Sequence, residues 1–187
     1  MNDVPEMMIV KRFSDVEDWT VYHTGLNGGT NPYTRLLTLN STASEVDMTS
    51  TPEKVWKSTP TSTHFEIGSH DRVNTSGKDY LALLFSSIDG ISKCGSYSGS
   101  NSSQTITTGF APRFVIIKKT TDNNDWYVLD TTRGWGAGND NYLLLNSTNA
   151  QNGNSDVGAP TATGFTLKGD VGSFNQAGNP YIYYAHA

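Results

Sequence analysis

The chain has 187 residues and carries 13 Lys+Arg against 18 Asp+Glu, a formal net charge of −5. That length suits one domain or two closely packed half-units and excludes a large multidomain enzyme. Only 17% of residues are charged, so 23 Thr, 19 Ser and 16 Asn must supply most of the surface polarity. No Lys/Arg cluster exceeds two residues. Without a basic stripe to displace counterions from phosphates, nucleic acid is a poor partner.

The first twenty residues interleave acids and bases with every apolar run, so no secretory signal peptide is expected. No segment approaches the ~20 apolar residues of a membrane-spanning helix, and no membrane role is expected. Met7 to Arg12 is an apolar, β-rich run followed by the turn composition Ser14-Asp15-Val16-Glu17, and Trp19 to Tyr22 reads as the returning strand of a hairpin. Further strands are expected at Arg35 to Leu39, His64 to Ile67 and Tyr80 to Phe85, with Gly77 supplying the positive φ of a tight turn. Ile91 to Ser98 and Gln104 to Phe110 are strand-like. Phe114 to Lys119, the turn Thr121-Asp122-Asn123-Asn124, Trp126 to Leu129, Tyr142 to Leu145, Phe165 to Leu167 and Tyr181 to Tyr184 complete the series, with Gly178 in the place of Gly77. Helical periodicity is nearly absent. Short strands broken by Gly, Asn and Ser predict an all-β fold, an antiparallel β-sandwich of jelly-roll-like character.

The strands repeat. Val4-Pro5-Glu6-Met7-Met8-Ile9-Val10-Lys11-Arg12 is echoed by Ala111-Pro112-Arg113-Phe114-Val115-Ile116-Ile117-Lys118-Lys119, and Asp18-Trp19-Thr20-Val21 by Asp125-Trp126-Tyr127-Val128. Leu39-Asn40-Ser41-Thr42 returns as Leu145-Asn146-Ser147-Thr148. Phe65 pairs with Phe165, and Val73-Asn74-x-x-Gly77-x-x-Tyr80 with Phe174-Asn175-x-x-Gly178-x-x-Tyr181. Four blocks in one order predict two homologous repeats, residues 1–90 and 111–187, joined by connecting strands in 91–110. The strand-like lead-in before the second copy has no counterpart before Pro5. Either the first copy does without it, or an edge is left for a partner to fill.

This ordered set of motifs resembles a domain of unknown function that recurs, often in tandem, in tail-fibre-like and other virion proteins of marine and cyanobacterial phages. The resemblance spans nearly the whole chain. It implies a phage structural or adhesion protein with a β-sandwich fold, and it brings no characterised catalytic residue. A start almost on the first motif, and the lack of a collagen-like or helical stalk, make a small accessory virion protein the expectation: a capsid decoration or a tail or fibre component.

Residues present in both copies are expected to be scaffold. Trp19 and Trp126 should pack in the core, Asp18 and Asp125 should hold turns through backbone amides, and Lys11, Arg12, Lys118 and Lys119 should be solvated strand ends. Aromatic residues found in one copy only, Trp56, Trp135, Tyr33 and Tyr97, lie in loop-like segments. They are the candidate binding residues, because a ring beside Asn, Asp and Thr can stack on a sugar or anchor a protein interface. The alternative is that they anchor loops over the core.

Enzyme signatures are weaker. His23, His64, His70 and His186 lack metal-ligand spacing, and no Gly-x-Ser-x-Gly elbow marks a nucleophile. Asp122 to Asp125 reads as a hairpin turn before it reads as a calcium loop. The single Cys94 excludes an internal disulfide framework and a cysteine zinc cluster. No metal, no cofactor and no catalysis are expected. The expected partners are other virion proteins, capsid or tail, with a host-surface glycan as the second reading and homo-oligomerisation compatible with both.

Overall fold

The computed structural model describes residues 3–169 and 171–187. The chain divides into two compact units, Met1–Ser86 and Ser87–Ala187.

The first unit contains β1 (Met7–Arg12), β2 (Trp19–His23), β3 (Arg35–Thr38), β4 (Val46–Asp47), the single-turn helix α1 (Asp71–Asn74) and β5 (Tyr80–Phe85). Its sheet has the antiparallel order β4-β3-β2-β1-β5. Three successive strands and a last one that returns beside the first make a Greek key. One sheet face carries Met8 and Val10 of β1, Tyr22 of β2 and Leu36 of β3. These pack with Met48, Val55, Trp56 and Val73, all from the irregular stretch between β4 and β5 and from α1. The expected strand over His64 to Ile67 does not join the sheet. Ile67 makes only an isolated bridge to Trp56, and the Lys57 and Gly68 amides donate to the Glu66 and Val55 carbonyls, so this segment is tied to its own cover.

The second unit runs β6 (Ser92–Ser98), β7 (Gln104–Thr107), β8 (Phe114–Lys119), β9 (Trp126–Asp130), β10 (Asp140–Leu144), β11 (Asn152–Ser155), β12 (Pro160–Thr161), β13 (Gly164–Leu167), α2 (Gly172–Asn175) and β14 (Pro180–His186). A six-stranded sheet has the order β11-β10-β9-β8-β14-β6, and a three-stranded sheet the order β12-β13-β7. Val115 and Ile117 of β8, Leu129 of β9 and Tyr183 of β14 share one core with Ile106 of β7 and Phe165 and Leu167 of β13. The unit is thus a two-layer antiparallel sandwich. Each such side chain stabilises it by roughly 1.5–3 kcal/mol through its removal from water. The strands expected to connect two repeats over 91–110 belong to this unit, because β6 pairs with β14 and β7 with β13.

Order β4-β3-β2-β1-β5 in the first unit corresponds to β11-β10-β9-β8-β14 in the second. Three local devices accompany it. Gly77 and Gly178 both hold positive φ, 71° and 74°, in the turn after the single-turn helix. The Tyr80 hydroxyl accepts from the Thr75 amide at 2.8 Å and donates to the Asp71 carbonyl at 3.2 Å. The Tyr181 hydroxyl does the same with the Gln176 amide and the Gly172 carbonyl, both at 3.0 Å. The spacing Asn-x-x-Gly-x-x-Tyr therefore encodes a helical turn closed by the phenol of the following strand.

The third device corrects the reading of Asp18 and Asp125. Their carboxylates do not take backbone amides: Asp18 Oδ1 accepts from Asn40 Nδ2 at 2.9 Å, and Asp125 Oδ1 from Asn146 Nδ2 at 2.7 Å. Each asparagine in turn accepts the amide of the adjacent tryptophan, Trp19 at 3.0 Å and Trp126 at 2.7 Å. Trp126 is buried, as expected, whereas Trp19 is only half-buried. Nor are the basic strand ends uniformly solvated. Lys118 and Lys119 are buried; Lys118 Nζ donates to the Asn124 carbonyl, and Lys119 Nζ reaches Asp122 and Gln176, both at 2.9 Å.

Candidate functional site

The four aromatic candidates do not form a surface site. Trp56 retains 1% of its exposure; its ring meets Tyr22 edge-on, with centroids 5.9 Å apart. Trp135 retains 3% and meets Phe165 edge-on at 6.0 Å in the second unit's core. Neither indole offers a free face to a sugar. Tyr33, in the short 3-10 turn Pro32–Thr34, is half-buried against the first unit's core. Tyr97 lies on strand β6 rather than in a loop; it stacks on Tyr181 with centroids 4.9 Å apart and planes 3° apart, and its hydroxyl donates to the Phe174 carbonyl at 2.6 Å. Burial, with Tyr181 and Tyr183 nearby, pushes the Tyr97 phenol well above its usual pKa. In both units the unshared tryptophans came from irregular segments that fold inward, because a large ring is the cheapest way for a segment lacking strand pairing to cover a sheet.

The site that the fold does open lies in the first unit, beside β5. A cavity of about 480 Å³ is lined by Val10, Phe65, Ile67, Val73, Tyr80 and Ala82, with the turn 74–78 as its rim. Its size falls within the ~300–1,000 Å³ of ordinary ligand sites. Each wall has a structural reason to be there. Val10 and Ala82 are direct cross-strand partners on one sheet face. Val73 is the buried residue of α1, and the Tyr80 ring is pinned by its two hydroxyl bonds.

Next to the cavity runs an open sheet edge. Among the described residues β5 pairs with β1 alone, and Leu81 and Leu83 are 45% and 39% exposed. The Phe13 amide donates to the Asp79 carbonyl in register with this pairing. Alternation along an antiparallel ladder then turns the N–H and C=O of Ala82 and Leu84 away from β1.

The corresponding place in the second unit is closed. There β6 covers β14 in the register Tyr181↔Tyr97 and Tyr183↔Gly95. The Tyr97 ring lies over Tyr181, while Tyr183 fills the space next to it: a Cβ at Gly95 would come within 2.5 Å of the Tyr183 ring. Among the described residues of the first unit no strand occupies the place of β6, and Ala82 stands where the second unit has Tyr183. The absent strand and the small side chain together leave the cavity.

The cavity lining contains no carboxylate, histidine or cysteine, and Lys78 at the rim is paired with Asp15 at 2.9 Å. Among the described residues no group of three or more His, Cys, Asp or Glu is placed to hold a metal ion. His64 bonds the Thr61 and Thr63 hydroxyls, and His70 Nδ1 caps α1 by accepting the Arg72 amide. The turn Asp122 to Asp125 serves the buried lysines of β8.

Sequence reasoning named Phe65, Val73, Asn74, Gly77 and Tyr80 of the cavity lining only as motif residues and none as a binding candidate. Two signals for it were nonetheless present: the strand-like segments 91–98 and 104–110, which have no counterpart before Pro5, and Ala82 against Tyr183 within otherwise similar Tyr80 and Tyr181 segments. No curated protein and no solved structure matches the chain. The family model described as Domain of unknown function (DUF7483) matches residues 1–187, across both units, and the chain belongs to that family.

Proposed function

We propose that the chain is a non-catalytic attachment protein of a phage particle, a capsid decoration or a tail or fibre accessory, built from two copies of one β module. The duplication is supported by the shared Greek-key strand order, the paired Asp–Asn clamps and the paired tyrosine bridges. The phage setting rests on the sequence resemblance to virion proteins. Attachment is carried by one observation: the exposed Leu81 and Leu83 on a strand paired along one edge only among the described residues, beside a cavity lined without carboxylate, histidine or cysteine. Exposed, extended backbone flanked by leucines is a template for pairing with another chain, and soluble proteins rarely leave it unprotected without use.

The second reading, a glycan-binding adhesion module, requires aromatic platforms, and the unshared tryptophans that suggested it are buried. The experiment is a binding assay with labelled full-length chain on particles that lack it and on host cells. Saturable, sugar-independent attachment to particles supports the proposal. Binding to host cells that is competed by host polysaccharide, with no attachment to particles, overturns it in favour of adhesion.

A further inference from the structure

We infer that the edge of β5 receives an extended strand from a partner protein, a strand that inserts two aromatic or large aliphatic side chains, two residues apart, into the cavity over Tyr80 and Ala82. This inference rests on the attachment reading and deepens it by naming the partner's chemistry.

The second unit supplies the template. Its strand β6 pairs with β14 antiparallel over seven residue pairs, Pro180↔Ser98 to His186↔Ser92, and places Tyr97 flat on Tyr181. Carried to the first unit at equal spacing from the bridging tyrosine, the incoming residue opposite Tyr80 takes the place of Tyr97. The incoming residue opposite Ala82 takes the place of Gly95. In the second unit that position must be glycine, since a Cβ there would collide with Tyr183. Ala82 removes this restriction, so the first unit has room for a large side chain where the second tolerates none. The cavity thus sets a code: large opposite Tyr80, large opposite Ala82.

Backbone pairing through Ala82 and Leu84 would supply affinity, and the alternate side-chain pockets would supply selectivity, the usual division in strand addition. On the other sheet face, Leu81 and Leu83 offer apolar partners to the residues in between. A second copy of this chain is a poor donor of the same kind. Its β6 is already paired with β14, and it carries glycine where the cavity asks for bulk.

The test uses the full chain and two fluorescein-labelled peptides. One copies residues 91–99; the other carries Gly95→Tyr. Anisotropy titration is expected to show that the Gly95→Tyr peptide binds at least about tenfold tighter than the unmodified peptide, a difference of the size that filling one pocket gives. Ala82→Tyr should reverse that order, and Leu83→Lys, at an exposed position, should weaken both peptides while leaving the circular dichroism spectrum unchanged. Equal affinity of the two peptides, or an order unmoved by Ala82→Tyr, overturns the inference. So does saturable uptake of a small apolar dye without peptide binding, or sedimentation showing a dimer that Leu83→Lys dissolves. Attachment to particles without peptide preference removes this inference and leaves the attachment reading standing. Peptide preference without attachment to particles does the reverse.

Discussion

Lys118 shows how a residue that reads as a solvated strand end becomes part of a core. Burial lowers its pKa from 10.5 to about 8, with Asp125 opposing and Lys119 reinforcing the shift. The unfolded chain therefore holds this proton over a range where the folded chain has released it. By linkage the cost of burying the ammonium is fully present below pH 8 and fades as pH rises toward 10.5. Tyrosines act in the opposite sense. Burial raises Tyr22 to about 12 and Tyr97 well above its usual value, so above pH 10 the unfolded chain deprotonates first and stability falls. Urea unfolding is expected to give a maximum near pH ~10, with a rise from pH 8 of about 1 kcal/mol per pH unit at most. Lys118→Met should abolish that rise. Its persistence in the variant would assign it to another group. A neighbouring case is Tyr22 itself, whose buried hydroxyl has no protein partner. Tyr22→Phe removes a desolvated polar group and is expected to raise the unfolding free energy by about 1 kcal/mol, read in the same urea titration.

At the scale of elements, the polar clamps do what disulfides do in other small β proteins: they fix where a strand begins. Asn146→Ala removes both the acceptor for the buried Trp126 amide and the donor to Asp125. It is expected to cost about 2 kcal/mol, whereas Asn40→Ala should cost under about 1 kcal/mol because water replaces the exposed bonds at Trp19. Asp140, at the start of β10, ties the Gly-rich loop before it to the segment between β11 and β12. Its buried carboxylate takes the Gly136, Val157 and Gly158 amides at 2.9, 2.7 and 3.2 Å. Asp140→Ala strips three amides of one acceptor and should lower stability by about 3 kcal/mol or more.

Elements with β-branched and aromatic runs were legible before the fold was known: β1, β2, β5, β8, β9 and β14 follow their apolar text closely. β11 was not, because Asn152-Gly153-Asn154-Ser155 reads as loop, and only its pairing with β10 at the sheet edge makes it a strand. The inward turn of Trp56 and Trp135 follows the loop-anchoring reading that the sequence left open beside the binding one, since nothing local in an irregular segment says which ring finds a sheet to cover. In the other direction, His64 to Ile67 has strand text but is tied to its own cover, where Ile67 bridges Trp56 instead of joining the sheet.

For the whole molecule, one topology is used with two endings. In the second unit the last strand of the Greek key is flanked on both sides, by β8 and β6. In the first, β5 has one neighbour among the described residues, exposed leucines and a cavity where the other unit keeps Tyr97 and Tyr183. The unmatched lead-in signalled this asymmetry in the sequence, but the cavity required knowing that Val10, Val73 and Ala82 converge, which no spacing reveals. Residue-resolved hydrogen exchange on the free chain tests the claim most directly. The Ala82 and Leu84 amides are expected to exchange at least about 100-fold faster than those of Tyr183 and Ala185, the positions that face β6. Equal protection at the two pairs of positions would contradict it, because the edge of β5 would then already be closed.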